Sequence, residues 1–296
     1  MKKWLKRNMV TLILTVIFFI GAGLIIYPSF ADYWNSFHQS RSIMKYAEEV
    51  ANMDSSKYEK IIESAREYNA KLARTGFNWS MDDQNLEAYE KELSFNKTGN
   101  MGYINIDKIH IKLPIYHGTD ETILQTSIGH MSETSLPVGG ESSHCVLSGH
   151  RGLPSAKLFT DLDKLVAGDT FTINILNETM TYEVDRIRVV VPTDLSDVQL
   201  VEGKDYCTLE TCTPYGINTH RLLVRAHRIE NAMGEVKVVS DALQIESKYI
   251  APFLGAPILI LLSVMMFIST GHTRRYRRAM KKAINYYEYL RENETA

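Results

Sequence analysis

The spacing of apolar and polar positions changes character along the chain, and each change marks a different kind of element. Residues 9–27 (MVTLILTVIFFIGAGLIIY) carry no charge, and their number is close to the ~20 residues that a membrane-crossing helix needs. Residues 250–270 (IAPFLGAPILILLSVMMFIST) form a second such run, with Pro252 and Pro257 in its first half, where a membrane helix tolerates proline. Between them, residues 41–51 and 57–73 set apolar side chains three and four apart among charged ones, the period of an amphipathic helix. Asp54-Ser55-Ser56 is a helix-start signal, and residues 76–84 (GFNWSMDDQ) break the pattern and read as a loop. From Met101 the period shortens to two. Strands are predicted at 103–106, 109–116, 144–149, 170–176, 180–191, 206–211 and 221–229, with a tight turn at Asn177-Glu178 and a short helical insert at 158–165. Short strands separated by Gly, Pro and Asp turns predict a β-barrel or sandwich.

The implied layout is a basic N-terminus (1–8), a membrane helix (9–27), a helical extension (28–100), a β-domain (101–230), a linker (231–249), a second membrane helix (250–270) and a basic tail (271–296). Lys2, Lys3, Lys6 and Arg7 precede the first apolar run, while Arg274, Arg275, Arg277, Arg278, Lys281 and Lys282 follow the second. Positive charge stays on the cytoplasmic side, so both termini are expected inside and residues 28–249 outside. A cleaved signal peptide is the alternative for the first run, because Ser29-Phe30-Ala31 loosely resembles a cleavage site. The run exceeds the ~7–15 residues of a usual signal core, which favours an anchor. The net charge of -2 gives no general attraction to nucleic acid. The lipid bilayer is the partner that the composition does imply.

Three cysteines are too few for a disulfide scaffold, and an odd thiol outside the cell is a candidate nucleophile. Cys212 ends a predicted strand, and Thr213-Pro214-Tyr215-Gly216 turns the chain directly after it. A return strand from Thr219 to Ile229, paired antiparallel, brings Arg221 near Cys212. Arg225 shares that face but lies about 13 Å further along at ~3.3 Å per residue, and His220 faces the other way. His150 likewise ends an apolar strand, between Gly149 and Arg151-Gly152. A thiol of ordinary pKa is a modest nucleophile at neutral pH. An imidazole can take its proton and return it to a leaving amine, and a guanidinium can stabilise the carbonyl oxygen's developing charge. Cys212, His150 and Arg221 are therefore a sufficient set for acyl transfer without a metal or other cofactor.

The stretches LSGHRG (147–152), TLETCTPYG (208–216) and NTHRLLV (218–224) resemble the sortases, surface transpeptidases of Gram-positive bacteria. The resemblance spans about Met101 to Ile229. Within the family it runs to class C, the pilin-polymerising sortases, on the CTPYG-x-NTHR sequence, the helical extension and the second membrane helix. It implies an eight-stranded β-barrel and cleavage of an LPxTG-like sorting signal between Thr and Gly. It also implies a Cys212 thioester, His150 as acid and base, Arg221 at the oxyanion, and a pilin lysine as acceptor. Thr211 and Thr213, flanking Cys212, are candidates for substrate binding or support. The expected partners are pilin or surface-protein substrates and the membrane of a Gram-positive cell.

Class C sortases usually cover the cysteine with a lid bearing an Asp-Pro-aromatic motif, which this chain lacks. The nearest match is Trp79-Ser80-Met81-Asp82-Asp83, with Trp79 and Asp82 as lid candidates and an ordinary surface loop as the alternative. Cys145 and Cys207 each stand five residues before a candidate catalytic residue. On neighbouring parallel strands the two thiols would sit side by side, either as inert buried thiols or as a disulfide. A housekeeping sortase that anchors proteins to the cell wall, a surface cysteine hydrolase and a non-enzymatic tethered β-domain remain as rival readings.

Overall fold

The structure, a computed structural model, describes residues 2–95, 99–231, 260, 275–288 and 291. The chain divides into two units, Met1–Phe30 with Ala242–Ala296, and Ala31–Asp241. Helix α1 (Lys2–Ala51) begins in the first unit. Among the described residues it is the one helix long and apolar enough to cross a membrane. The predicted second membrane helix (250–270) lies outside the described residues apart from Ile260, as does the predicted linker apart from Asn231, and residues 275–288 are helical.

The second unit is built on eight strands: β1 (Asn100–Ile106), β2 (Ile111–His117), β3 (Ile128–His130), β4 (Ser143–Ser148), β5 (Thr170–Ile175), β6 (Glu178–Val190), β7 (Asp205–Thr213) and β8 (His220–Ile229). They close into a barrel in the order β1-β2-β3-β4-β7-β8-β6-β5, which leaves no free edge. The β2–β3 and β4–β7 pairs are parallel, and the others are antiparallel. Alternation along each strand sends one face inward. Cys145 and Leu147 of β4, Cys207 and Leu209 of β7, and Leu222, Val224 and Ala226 of β8 all join the main core.

Several elements differ from the expectation. The strand expected from 109 starts at Ile111, because Asp107–Ile109 closes a 3-10 turn and His110 takes a left-handed φ of 52°. The hairpin expected at Asn177-Glu178 turns one residue earlier, with Leu176 left-handed and Glu178 already in β6. The helical insert at 158–165 contracts to a 3-10 turn at Leu162–Lys164. Strand β3, three residues long, was too short to show a period.

The helical extension is fixed to the barrel by buried polar side chains. Tyr46 of α1 donates to Met101 O at 2.9 Å and accepts from Leu176 N at 2.6 Å. Helix α2 (Ser55–Thr75) starts where Asp54 accepts from Ser56 N. Its buried Asn69 accepts from Leu136 N at 2.7 Å and donates to Leu136 O and Gly139 O. Helix α3 (Asp83–Lys91) sends the fully buried Tyr89 to His130. His130 Nε2 donates to Ser135 O, so its Nδ1 accepts from Tyr89 at 2.9 Å. Buried polar groups matched in this way are costly to unpair, at about 1–3 kcal/mol each.

On the outer side of the barrel wall, Val146, Val190, Val198 and Leu223 form a smaller cluster, and Trp79, Met131 and Leu195 pack against it. Asp197 in the β6–β7 connection pairs with Arg186 and Arg188 of β6. Beside it, His144 Nδ1 donates to Gln199 O at 2.8 Å, which leaves Nε2 to accept from Thr208 Oγ1 at 2.7 Å. This cover makes β4 buried on both faces and accounts for its continuous apolar run in the sequence.

Burial pushes the His144 imidazole down to about 4. The folded chain keeps it neutral where the unfolded chain, with a pKa near 6.5, takes up a proton. Stability is therefore expected to fall as pH drops from about 6.5 towards 4, by at most about 3 kcal/mol from this residue. Asp205, raised by burial, acts with the opposite sign above the ordinary aspartate range, so the difference between variants is the informative quantity. Urea unfolding of the detergent-solubilised chain at pH 7 and 4.5 should show a smaller acid loss for His144→Gln than for the parent.

Candidate active site

The site lies where β4 and β7 end and β8 begins. In the parallel β4–β7 ladder, Cys145 is opposite Cys207, and Ser148 is opposite Glu210. Beyond the last pair, Gly149 N donates to Glu210 O at 3.0 Å, and Thr211 Oγ1 donates to Gly149 O at 2.7 Å. His150 and Cys212 each stand two residues past that same rung. Across the antiparallel β7–β8 pair, Cys212 is opposite Arg221. His150, distant in sequence, and the hairpin neighbours Cys212 and Arg221 thus come from adjoining strand ends.

Each is held differently. Cys212 is partly exposed, unlike Cys145 and Cys207. The His150 ring, a quarter exposed, has Nε2 at 3.3 Å from both carboxylate oxygens of Glu121, which belongs to the short helix α4 (Glu121–Leu124). Glu121 is two-thirds exposed, so solvent weakens this pair. Arg221 Nε lies 3.1 Å from Glu210 Oε1. Arg225, on the same face, is engaged by Asp185 and stacks over the Tyr206 ring.

Thr211 is buried, and its hydroxyl fixes the carbonyl next to His150. Thr213 Oγ1 accepts from Arg151, which also pairs with Asp163. A side chain at Gly152, where φ is 79°, would meet the Tyr215 ring at 2.9 Å. The loop after His150 and the loop after Cys212 therefore pack directly together. Trp79 is placed against the outer cluster that contains Leu223, a residue opposite Glu210. The Asp82 carboxylate caps α3, accepting from Asn85 N at 2.8 Å. Glu210, Ser148, Arg151 and Glu121 were not singled out in the sequence. Glu210 and Ser148 had a signal, since each precedes a candidate catalytic residue by two positions.

Cys145 and Cys207 do sit side by side, with both sulfurs free. Burial first, then the neighbouring Cys145 sulfur, holds the Cys207 thiol well above its ordinary range. Among the described residues no cluster of three or more His, Cys, Asp or Glu is placed to hold a metal ion.

A family model described as the sortase domain matches residues 104–229. Sortase C1 from Streptococcus agalactiae is 60% identical with a TM-score of 0.64, covering 64% of this chain and 99% of that one. Sortase C from Streptococcus pneumoniae, a protein with pilin substrate specificity, is 40% identical with a TM-score of 0.59, over 64% and 97%. Sortase D of Bacillus subtilis is 32% identical over 114 residues, 38% of this chain and 54% of that protein. The matched region spans about half the length of such curated relatives. The chain belongs to the sortase family and is most like its class C members.

The exposure difference predicts the thiol chemistry. One sulfur, Cys212, should react quickly with iodoacetamide in the folded chain, and unfolding without reductant should bring the total to the three free cysteines of the structure. A single reactive thiol after unfolding would instead mean a Cys145–Cys207 bridge.

Proposed function

We propose that this sortase is a membrane-anchored cysteine transpeptidase that joins pilin subunits. The observation that carries the reading is the shared end of β4, β7 and β8, where His150 and Cys212 each follow the last rung of one parallel ladder by two residues and Arg221 is opposite Cys212. The Cys212 sulfur attacks the Thr carbonyl carbon of an LPxTG-like signal, and Arg221 stabilises the oxygen as it gains charge. His150 gives a proton to the departing Gly amine as the Thr–Gly bond breaks. The Thr carbonyl is then held as a thioester. A pilin lysine amine attacks it, His150 takes the amine proton, and the sulfur leaves as an isopeptide bond forms. Thr211 and Thr213 support this geometry, since they bond to Gly149 O and to Arg151 beside His150.

Likeness to class C sortases, among them the Streptococcus pneumoniae protein with pilin substrate specificity, supports a pilin over a cell-wall acceptor. The apolar N-terminal helix and the basic residues flanking both apolar runs support a two-pass anchor with both termini cytoplasmic. The catalytic domain then faces the surface of a Gram-positive cell. Trp79 and its loop serve as the site's cover, supported by the packing of Trp79 on the outer cluster.

The reading predicts an acyl adduct confined to Cys212 when the detergent-solubilised chain meets an LPxTG-like peptide, as read by intact mass. Cys212→Ala should abolish it. His150→Ala or Arg221→Ala should slow it by about 10²–10³-fold. A lysine-bearing pilin peptide should divert the adduct from hydrolysis to a ligated product. Trp79→Ala, run alongside, distinguishes a covered site from an incompetent one. No adduct in either protein, or an adduct that survives Cys212→Ala, would sink the proposal.

A further inference from the structure

We propose that Glu210 is a positioning residue that fixes the Arg221 guanidinium for acyl transfer; this rests on the transpeptidase reading above. Glu210 lies two residues before Cys212 on the same strand, so the two side chains leave the same face of the sheet. One carboxylate oxygen is 3.1 Å from Arg221 Nε, and the other accepts from Ser148 Oγ at 2.7 Å. Ser148 stands opposite Glu210 on β4 and two residues before His150. Arg221 stands opposite Cys212 on β8. One carboxylate therefore links the last residue of β4 to Arg221 of β8, from a position on β7 two residues before Cys212.

The geometry suits positioning more than surface ion pairing. The Glu210 side chain is 14% exposed, so the pair is less screened than a solvated one. Ser148 holds one oxygen, which stops the carboxylate from turning freely. Guanidinium donors form a rigid planar fork. Engaging the Nε edge fixes that plane and leaves the two terminal nitrogens for other partners. One of these donates to the carbonyl of His220, at a long 3.4 Å. An oxyanion donor that is already oriented needs no reordering when charge develops. An arginine on a flexible stem without such an anchor loses that advantage.

The test measures single-turnover acylation of the full chain in detergent by an LPxTG-like peptide. Glu210→Gln keeps the shape and the Ser148 contact and removes the charge. It should lower the maximal acylation rate about tenfold with the half-saturating peptide concentration little changed. In an Arg221→Ala background, Glu210→Gln should have no further effect, because the residue acts through Arg221. Ser148→Ala provides a second variant, with a two- to threefold loss that also vanishes without Arg221. Equal slowing in both backgrounds, an unchanged rate or a faster rate in Glu210→Gln would overturn the inference while leaving the transpeptidase reading intact. Absence of any adduct in the parent chain and in Trp79→Ala would instead remove the reading on which it rests.

Discussion

The in-register parallel pairing of β4 with β7 is the constraint on which the site depends. Parallel strands cannot be joined by a short hairpin, and here a long excursion through β5 and β6 separates the partners. Their register is set by what faces inward. Cys145 meets Cys207 and Leu147 meets Leu209 inside the barrel. A slip of one residue would turn those side chains to the outer face and bring Ser148 and Glu210 into the core. Past the rung that brings Ser148 to Glu210, the same two-residue step leads to His150 on one chain segment and to Cys212 on the other. The two buried thiols are thus part of what sets the position of Cys212.

The second neighbour of β7 completes the arrangement by simpler means. The turn from Pro214 to Asn218 returns the chain antiparallel, with Ile217 N and Asn218 N both bonded to Pro214 O. Gly216 and Asn218 take positive φ there, a conformation that glycine and asparagine adopt most readily. Arg221 then lies opposite Cys212 by local geometry alone. The two relations differ in how they are stabilised. The Cys212–Arg221 pair is built into a hairpin, whereas the β4–β7 pairing joins strands far apart in the sequence.

That difference explains what was legible in the sequence. The Cys212–Arg221 relation could be argued from a turn and a strand period, and so could the dismissal of Arg225. Cys145 and Cys207 suggested parallel neighbours only through their equal offsets from His150 and Cys212. Ser148 and Glu210 share an offset of two residues and would have followed from the same reasoning. Glu121 carries no such mark, because α4 reaches His150 through folding that no short-range pattern encodes. Element ends were the least legible part. A left-handed Leu176 and the 3-10 turn before His110 moved two boundaries by a residue or two, because neither residue is a usual turn former.

Attachment of the helical extension bears on which of its parts can move. Tyr46, Asn69 and Tyr89 each place buried polar atoms against the barrel backbone or His130, so displacing α2 or α3 would unpair groups that water cannot reach. Met81 packs on the main core, and Asp82 caps α3. Between Gly76, with φ at 78°, and Met81 the chain is held by apolar packing, that of Trp79 on the outer cluster, with Phe77 set edge-on to Trp79. Uncovering one partly buried aromatic side chain costs about 1–3 kcal/mol, comparable to a single unpaired polar group and less than several together. Movement within this part of the extension is therefore least costly at residues 77–80, with the helices on either side staying in place.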